Sequence, residues 1–520
     1  EEFREVSKRL DAAGARDLSK IGVRSQAGTN AIKVTIQDEA TAHVQLAHKH
    51  STLLAKIRTL HGFEHFLRPL PASAILEGLP KEGVVVALSD HPVQCDAIAL
   101  TYGKEPLHIR LPDLTIEGVS RLANKLKQDL ISSGLSADLY ADRERGKTDG
   151  VSRGVKQAKP KVEAISGIEG ILNELWVKLA KPVVDALELS VRCMTQRYPG
   201  TIADRSRPLQ PSEDPSARIW WCPTGLTSFL PIHAAGIYRG TSQVCLDDFA
   251  VSSYIPTITS LTSKLQSPLS QFAQRTTADD VEVPSKDRCN SGLVVICQPE
   301  GVSAALPSIP GTVEEAKSIM EIAKSNRLDS LLLEGRETNS TAVLDAMEKY
   351  TCVHLACHAE QNAFRPLQSR FYVGVDENDR VGALELSTIM KLQLKRADIA
   401  FLSACQTSMG SELMSEEAVH LAAGMLAAGY RGVVATMWGI QDEVAPLVAG
   451  RFYQNLLSRS RNPESEGVKD SNERSDKGTA YMDGAHAAAA LRHSLKELRK
   501  GLGLDETSFF AWVPYVHFGL

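Results

Sequence analysis

Long apolar runs are missing from this chain. None approaches the roughly 20 residues needed to span a bilayer, and no signal peptide is evident. No membrane association is therefore expected. The chain opens on Glu1 rather than Met, which reads as a fragment and leaves open a leader or domain ahead of it. A strong excess of either charge is also missing: the formal net charge is -5. That argues against a general nucleic-acid binder and leaves room only for a local basic patch. There is no CxxC pair among the nine cysteines, so neither a structural zinc site nor any other cofactor is expected. The cysteine count is odd and the spacings are scattered. Several sit inside apolar runs, as in Val353-His354-Leu355-Ala356-Cys357, which suits buried free thiols. Free thiols point to a reducing compartment, and a cytoplasmic location is expected.

What is present is ordinary globular material. The 520 residues are 43% hydrophobic and 23% charged, enough for two to four domains with sizeable cores. Residues 1–75 read as helical, with apolar residues at helical spacing through 39–70. Val84 to Leu88 is a short run with β-branched residues, a buried strand, and 96–100 is its expected partner. Helices are expected at 115–137 and 164–196, with a polar linker at 141–161 and loops at 208–215 and 266–291. After residue 290 the pattern becomes a regular strand–helix alternation, which implies an α/β fold with a parallel sheet covered on both faces. Strands are expected at 293–296, 331–333, 352–357, 400–403 and 433–437. Thr312-Val313-Glu314-Glu315 reads as a capping box that opens a helix to about Ser325. A helix over 415–428 stops at Gly429, a polar insertion occupies 459–479, and a last helix at 484–500 leads to a final strand.

Two segments carry chemistry. Val353-His354-Leu355-Ala356-Cys357-His358-Ala359 and Ala400-Phe401-Leu402-Ser403-Ala404-Cys405-Gln406-Thr407 are buried strands that each end in a reactive side chain. In open α/β sheets, sites form beyond the carboxyl ends of the strands. If the two strands are neighbours, imidazole and thiol meet across one crevice. A cysteine nucleophile needs that base, since a free thiol is only a few per cent ionised at pH 7.

These residues resemble the CHAT family of caspase-like proteases, often attached to helical repeats, and more distantly separases and caspases. Trp221-Cys222-Pro223-Thr224-Gly225, Pro231-Ile232-His233-Ala234-Ala235-Gly236, Ser252-Ser253-Tyr254-Ile255-Pro256-Thr257, Glu417 and Trp438-Gly439-Ile440-Gln441-Asp442 extend the likeness over roughly residues 80–520. The resemblance implies a caspase-like α/β/α sandwich in tandem: helices over 1–78, a pseudo-protease half with its linker over 79–288, and a catalytic half over 289–520. It implies a dyad of His358 as general base and Cys405 as nucleophile, with His354 structural. The oxyanion hole would be the backbone N–H groups of Ala359 and Cys405. The family usually carries Gly after its histidine, and at a positive φ Ala359 would be strained. The resemblance further implies that Asp442, with Trp438 at the head of its stretch, lines the S1 pocket and favours a basic P1 residue through a bidentate pair. A helix-capping role for Asp442 weighs equally.

The implied activity is regulated cysteine endopeptidase chemistry on a protein substrate, in signalling or cell death. An activating partner would act through the upstream helical region. Two readings compete: a catalytically silent docking module on the same fold, and a thiol hydrolase or transferase acting on small molecules. An intact His358–Cys405 pair favours the peptidase. His233 reads as a core histidine, and Gly146-Lys147-Thr148 as linker, because the first glycine of a phosphate loop is replaced by Ala141.

Overall fold

A computed structural model describes residues 1–14, 36–64, 66–69, 71–91, 94–133, 135, 167–189, 217–265, 292–301, 308–335, 338–362, 365–375, 381–404, 421–460 and 481–520. They form two compact units, residues 1–75 and 76–520. The loops expected at 141–161, 208–215 and 266–291, and the insertion beyond residue 460, lie outside the described residues.

In the first unit, α1 (Glu2–Gly14) packs along α2 (Ile36–Ile57). The Phe3 ring meets His50 and Phe66 at 4.7 and 5.7 Å between centroids. The helix expected to run to residue 70 ends at Ile57. Gly62, at φ +85°, turns the chain, and the Arg58 guanidinium donates to the carbonyls of Phe66 and Leu67. A short helix, α3 (Ala72–Glu77), follows.

The second unit is built on one sheet. Its first strands are β1 (Val84–Ser89), β2 (Cys95–Leu100), β3 (Leu107–Leu111) and β4 (Arg218–Cys222). A small hairpin of β5 (Gly236–Ile237) and β6 (Val244–Cys245) precedes β7 (Val251–Tyr254). Then come β8 (Leu293–Cys297), β9 (Ser330–Glu334), β10 (Cys352–Ala356), the small sheet β11 (His358–Glu360), β12 (Arg370–Val375) and β13 (Val381–Glu385), then β14 (Ile399–Ser403), β15 (Gly432–Thr436) and β16 (Tyr515–Gly519). The main sheet has eleven strands in the order β3-β2-β1-β4-β7-β16-β15-β14-β10-β8-β9. Neighbours are parallel except β1 with β2, β2 with β3, and β15 with β16. Every residue of β8, β10, β14 and β15 is buried. A strand buried at every position has both faces covered, which makes this an α/β sandwich with a mostly parallel sheet.

Helices supply the covers: α4 (Ile116–Ser132), α5 (Ile168–Leu175), α6 (Lys181–Ala186), α7 (Ile258–Leu265), α8 (Gly311–Ser325), α9 (Ser340–Lys349), α10 (Leu386–Lys391), α11 (Leu421–Ala428), α12 (Ala445–Ser460), α13 (Ala487–Gly501) and α14 (Glu506–Trp512). The inward stripe of α4 (Val119, Leu122, Leu126 and Leu130) repeats at three and four residues, as a half-buried helix requires. No helix among the described residues is long and apolar enough to cross a membrane.

The strands before residue 255 and those after residue 292 meet where β7 pairs with β16, at Tyr254 and Phe518. Histidines line this seam. His233 faces the Tyr254 hydroxyl at 3.0 Å and the Val513 carbonyl at 2.9 Å. Burial lowers its pKa from 6.5 to about 4, against the raising effect of the Val513 carbonyl. His517, hydrogen-bonded to Ser253, is held well below its ordinary value, chiefly by burial. A histidine kept neutral by the fold takes up its proton more readily when the chain unfolds. The stabilising share of His233 is therefore complete above about pH 6.5 and is lost as pH falls toward 4, at up to about 1.4 kcal/mol per pH unit, and that of His517 is lost in the same direction. Urea midpoints taken between pH 7.5 and 4.5 should show this as a shallower acid-side slope for His233→Gln than for the unaltered chain. Identical slopes would disprove the assignment.

Candidate active site

Strand β10 lies between β8 and β14 and runs parallel to both, with Ala356 opposite Cys297 and Ser403. The two motif strands are therefore neighbours with a common direction. β15 is the next parallel strand beyond β14. The chain thus leaves β10, β14 and β15 at one edge of the sheet, the edge where α/β folds place their sites.

At that edge β10 does not simply end. Cys357 is buried, and His358 then opens β11, paired with Tyr372 of β12. His358 is 6% exposed. It stands at the junction of the main sheet and the small one, and Gln298 ties the two together. The Gln298 N–H donates to the Ala356 carbonyl at 2.9 Å, and its side-chain oxygen accepts from the Gly374 N–H at 3.0 Å. Gly374 has φ +60°, beside an irregularity in the β12–β13 pairing, and a Cβ there would lie 1.1 Å from the Thr338 carbonyl oxygen. Only glycine fits. Ala359 is the second residue of β11, and its φ is not positive. Alanine is therefore unstrained at the position where the family resemblance leads one to expect glycine.

Cys405 itself lies outside the described residues. The last described residue before it, Ala404, is pinned by the Thr436 hydroxyl, which donates to its carbonyl at 2.6 Å. Of the other expected site residues, Trp438 is 1% exposed and sits in the hydrophobic core, its indole N–H without an acceptor among the described residues. Asp442 is half-buried, and its Oδ2 accepts from the Gly311 N–H at 2.7 Å. It caps a helix, as the second reading held, but the helix is α8, 131 residues away in sequence, not one following β15.

The capping box expected at Thr312 is not formed. The N-cap position falls on Pro310, Thr312 donates to the Ile309 carbonyl at 2.7 Å, and the Asp442 carboxylate takes the capping role. Glu315 is thereby free to turn inward. It is fully buried, its Oε2 accepting from the Ser403 hydroxyl at 3.0 Å. Its Oε1 lies 3.2 Å from His354 Nε2, within ion-pair reach though not aligned along the ring N–H. His354 stacks on Phe401 at 4.8 Å between centroids, and its Nδ1 is 3.2 Å from the Tyr453 hydroxyl. Burial raises the Tyr453 pKa well above 10, so the hydroxyl stays protonated and can donate. Sequence reasoning missed Glu315. The signal was a carboxylate among Thr312, Ala316, Ile319, Ile322 and Ala323, on the buried stripe of α8.

The strand ends at β4 and β7 offer no comparable pair. They carry Cys222-Pro223 and Tyr254-Ile255-Pro256, with no histidine. Desolvation pushes the Cys222 thiol up to about 11. The six described cysteines, Cys95, Cys222, Cys245, Cys297, Cys352 and Cys357, are all buried, and none is in a disulfide.

Among solved structures, the chain is similar to Saccharomyces cerevisiae separase in its complex with securin. The identity is 10%, covering 100% of this chain and 37% of that one, with a TM-score of 0.47. It is also similar to the Arg-specific cysteine proteinase gingipain R, at 10% identity, 68% and 72% coverage, and a TM-score of 0.36. The complex of the Porphyromonas gingivalis gingipain pro- and mature domains matches at 9% identity, 66% and 70% coverage, and a TM-score of 0.36. The chain thus spans little more than a third of the separase it matches, 37%. No curated protein matches the sequence. The model of the CHAT domain family matches residues 169–520. That stretch is more than half of the sequence, and the chain belongs to the CHAT domain family.

Proposed function

We propose that the chain is a cysteine endopeptidase that uses Cys405 as nucleophile and His358 as general base. The observation that carries this reading is the parallel pairing of β10 with β14, with Ala356 opposite Ser403. Counting two residues on from that pair reaches His358 along one chain and Cys405 along the other. In the reaction, His358 takes the thiol proton as sulfur attacks the scissile carbonyl. The oxyanion is met by the backbone N–H groups of Ala359 and Cys405, each such donor supplying about 3–4 kcal/mol. His358 then protonates the departing amine, leaving an acyl-enzyme. Water, deprotonated by the same imidazole, attacks the thioester, and the acid product and thiol are released. Asp442 and Trp438 follow β15 on the same edge, and Asp442 would select a basic P1 side chain. Residues 79–288 would be a pseudo-protease half, a reading supported by the absence of histidine from the ends of β4 and β7. A place in regulated signalling or cell death rests on the family likeness alone.

A peptide-based acylating electrophile tests the reading against its rivals. The unaltered chain should be labelled at Cys405, as located by peptide mass spectrometry, and Cys405→Ala should take up none. A folded chain that ignores the peptide probe would be a docking module. One that reacts equally with a small non-peptide thioester would be a small-molecule thiol hydrolase.

A further inference from the structure

Burying a carboxylate between a helix and a sheet costs several kcal/mol in lost hydration, and a wholly apolar set of side chains in place of the carboxylate and its partners is often as stable or more so. Glu315 occupies such a place, on a stripe of α8 otherwise made of small and aliphatic residues. What it gains is contact with two strands at once. His354 of β10 faces one of its oxygens and Ser403 of β14 donates to the other. These two residues are not directly opposite. In the ladder His354 pairs with Phe401, and Ser403 with Ala356. The carboxylate therefore spans the ladder diagonally, with its two contacts offset by two residues along the strands, so that sliding one strand along the other would part them. It does so at the last rungs, just before β10 gives way to β11 and the backbone pairing stops. The Tyr453 hydroxyl of α12 fixes the far side of the His354 ring. At its N-terminus, α8 meets the segment after β15 through Gly311, where a Cβ would come within 2.3 Å of the Asp442 carbonyl oxygen.

We propose that Glu315 is a positioning residue: shared between His354 and Ser403, its carboxylate sets the shear between β10 and β14 and hence the separation at which His358 and Cys405 meet. This rests on the dyad reading above. A residue needed only for packing would be replaceable by any side chain that keeps the fold. A positioning residue would not be, because the groups it aligns lie two and four residues farther along each chain.

The test follows the rate of Cys405 alkylation by iodoacetamide against pH, located by peptide mass spectrometry. It uses the full chain as unaltered protein and as His358→Ala, Glu315→Leu and Glu315→Gln. Thermal melts run in parallel. In the unaltered chain the thiolate should persist at pH 6 and depend on His358. Glu315→Leu leaves the buried Ser403 hydroxyl without its acceptor and should melt lower than the unaltered chain; read well below that melt, its rate at pH 6 should also fall roughly tenfold to a hundredfold, the loss that a misplacement of up to about 1 Å brings. Its profile should approach that of His358→Ala. Glu315→Gln keeps the bond from Ser403 and should lie between. It also decides the matter if the leucine variant does not fold. Folded Glu315 variants with the unaltered pH profile would overturn the proposal and leave the dyad standing. Coincident profiles for the unaltered chain and His358→Ala would overturn the dyad, and the positioning role with it.

Discussion

Cys405→Ala and His358→Ala should each lower peptide cleavage by about three orders of magnitude or more, and the double variant should be no worse than the Cys405 variant. The physical reason is that sulfur and imidazole act as one unit. Without Cys405 there is no atom to form the acyl-enzyme. Without His358 the thiol keeps an ordinary pKa near 8.5 and offers only a small thiolate fraction at neutral pH. The leaving amine also goes without its proton donor, a loss of about 10²–10⁴ on its own. Losses that belong to one unit do not add. Initial rates on a fluorogenic peptide give the answer directly. Two independent losses that multiplied in the double variant would mean that the residues serve different steps. Cys222→Ser supplies the internal control. Its thiol also ends a parallel strand, but desolvation holds it protonated up to about pH 11 and no histidine accompanies it. That variant should leave the rate unchanged.

The sequence disclosed the strands that carry this chemistry because burial on both faces forces continuous apolar runs, and Cys352 to Ala356 and Ile399 to Ser403 are such runs. Their adjacency was only conditional, since nothing in a pattern of residues says which of several parallel strands are neighbours. The first strand of the small sheet was not legible. β11 is three residues long, and one of them is the candidate base itself, so no alternation had room to develop. β3 was missed as well, because at an edge of the sheet three of its five residues are exposed. The capping box failed for a different reason. Thr312 and Glu315 satisfy a local rule, but the helix begins one residue before Thr312 and takes its cap from Asp442, which no local rule can see. The same error hid Glu315: a carboxylate assigned to a capping box was in fact the buried group between the two motif strands.

Asp442→Asn should separate the two roles that Asp442 can hold. Asparagine keeps the size of the side chain and an oxygen able to accept from Gly311 N–H, so the cap on α8 survives. Only the charge goes. At a helix N-terminus that charge contributes about 0.3–1 kcal/mol, so the melting temperature should fall by little. A carboxylate has about four lone-pair sites, so it can accept from Gly311 and from a further donor at once. If the rest meet a guanidinium at P1, removing the charge leaves that cation without its partner in a desolvated pocket. Such truncations cost about 2–5 kcal/mol. kcat/KM for a P1 Arg peptide should then fall roughly 30-fold to 10³-fold, while a matched peptide with a neutral P1 residue loses almost nothing. Asp442→Ala should add the loss of the cap, about 0.5–2 kcal/mol of stability, without a further change in the ratio between the two peptides. Equal losses on both peptides would mean that Asp442 works only through α8, by seating Gly311 and the helix that carries Glu315. In that case the choice of P1 residue lies with other groups along the edge.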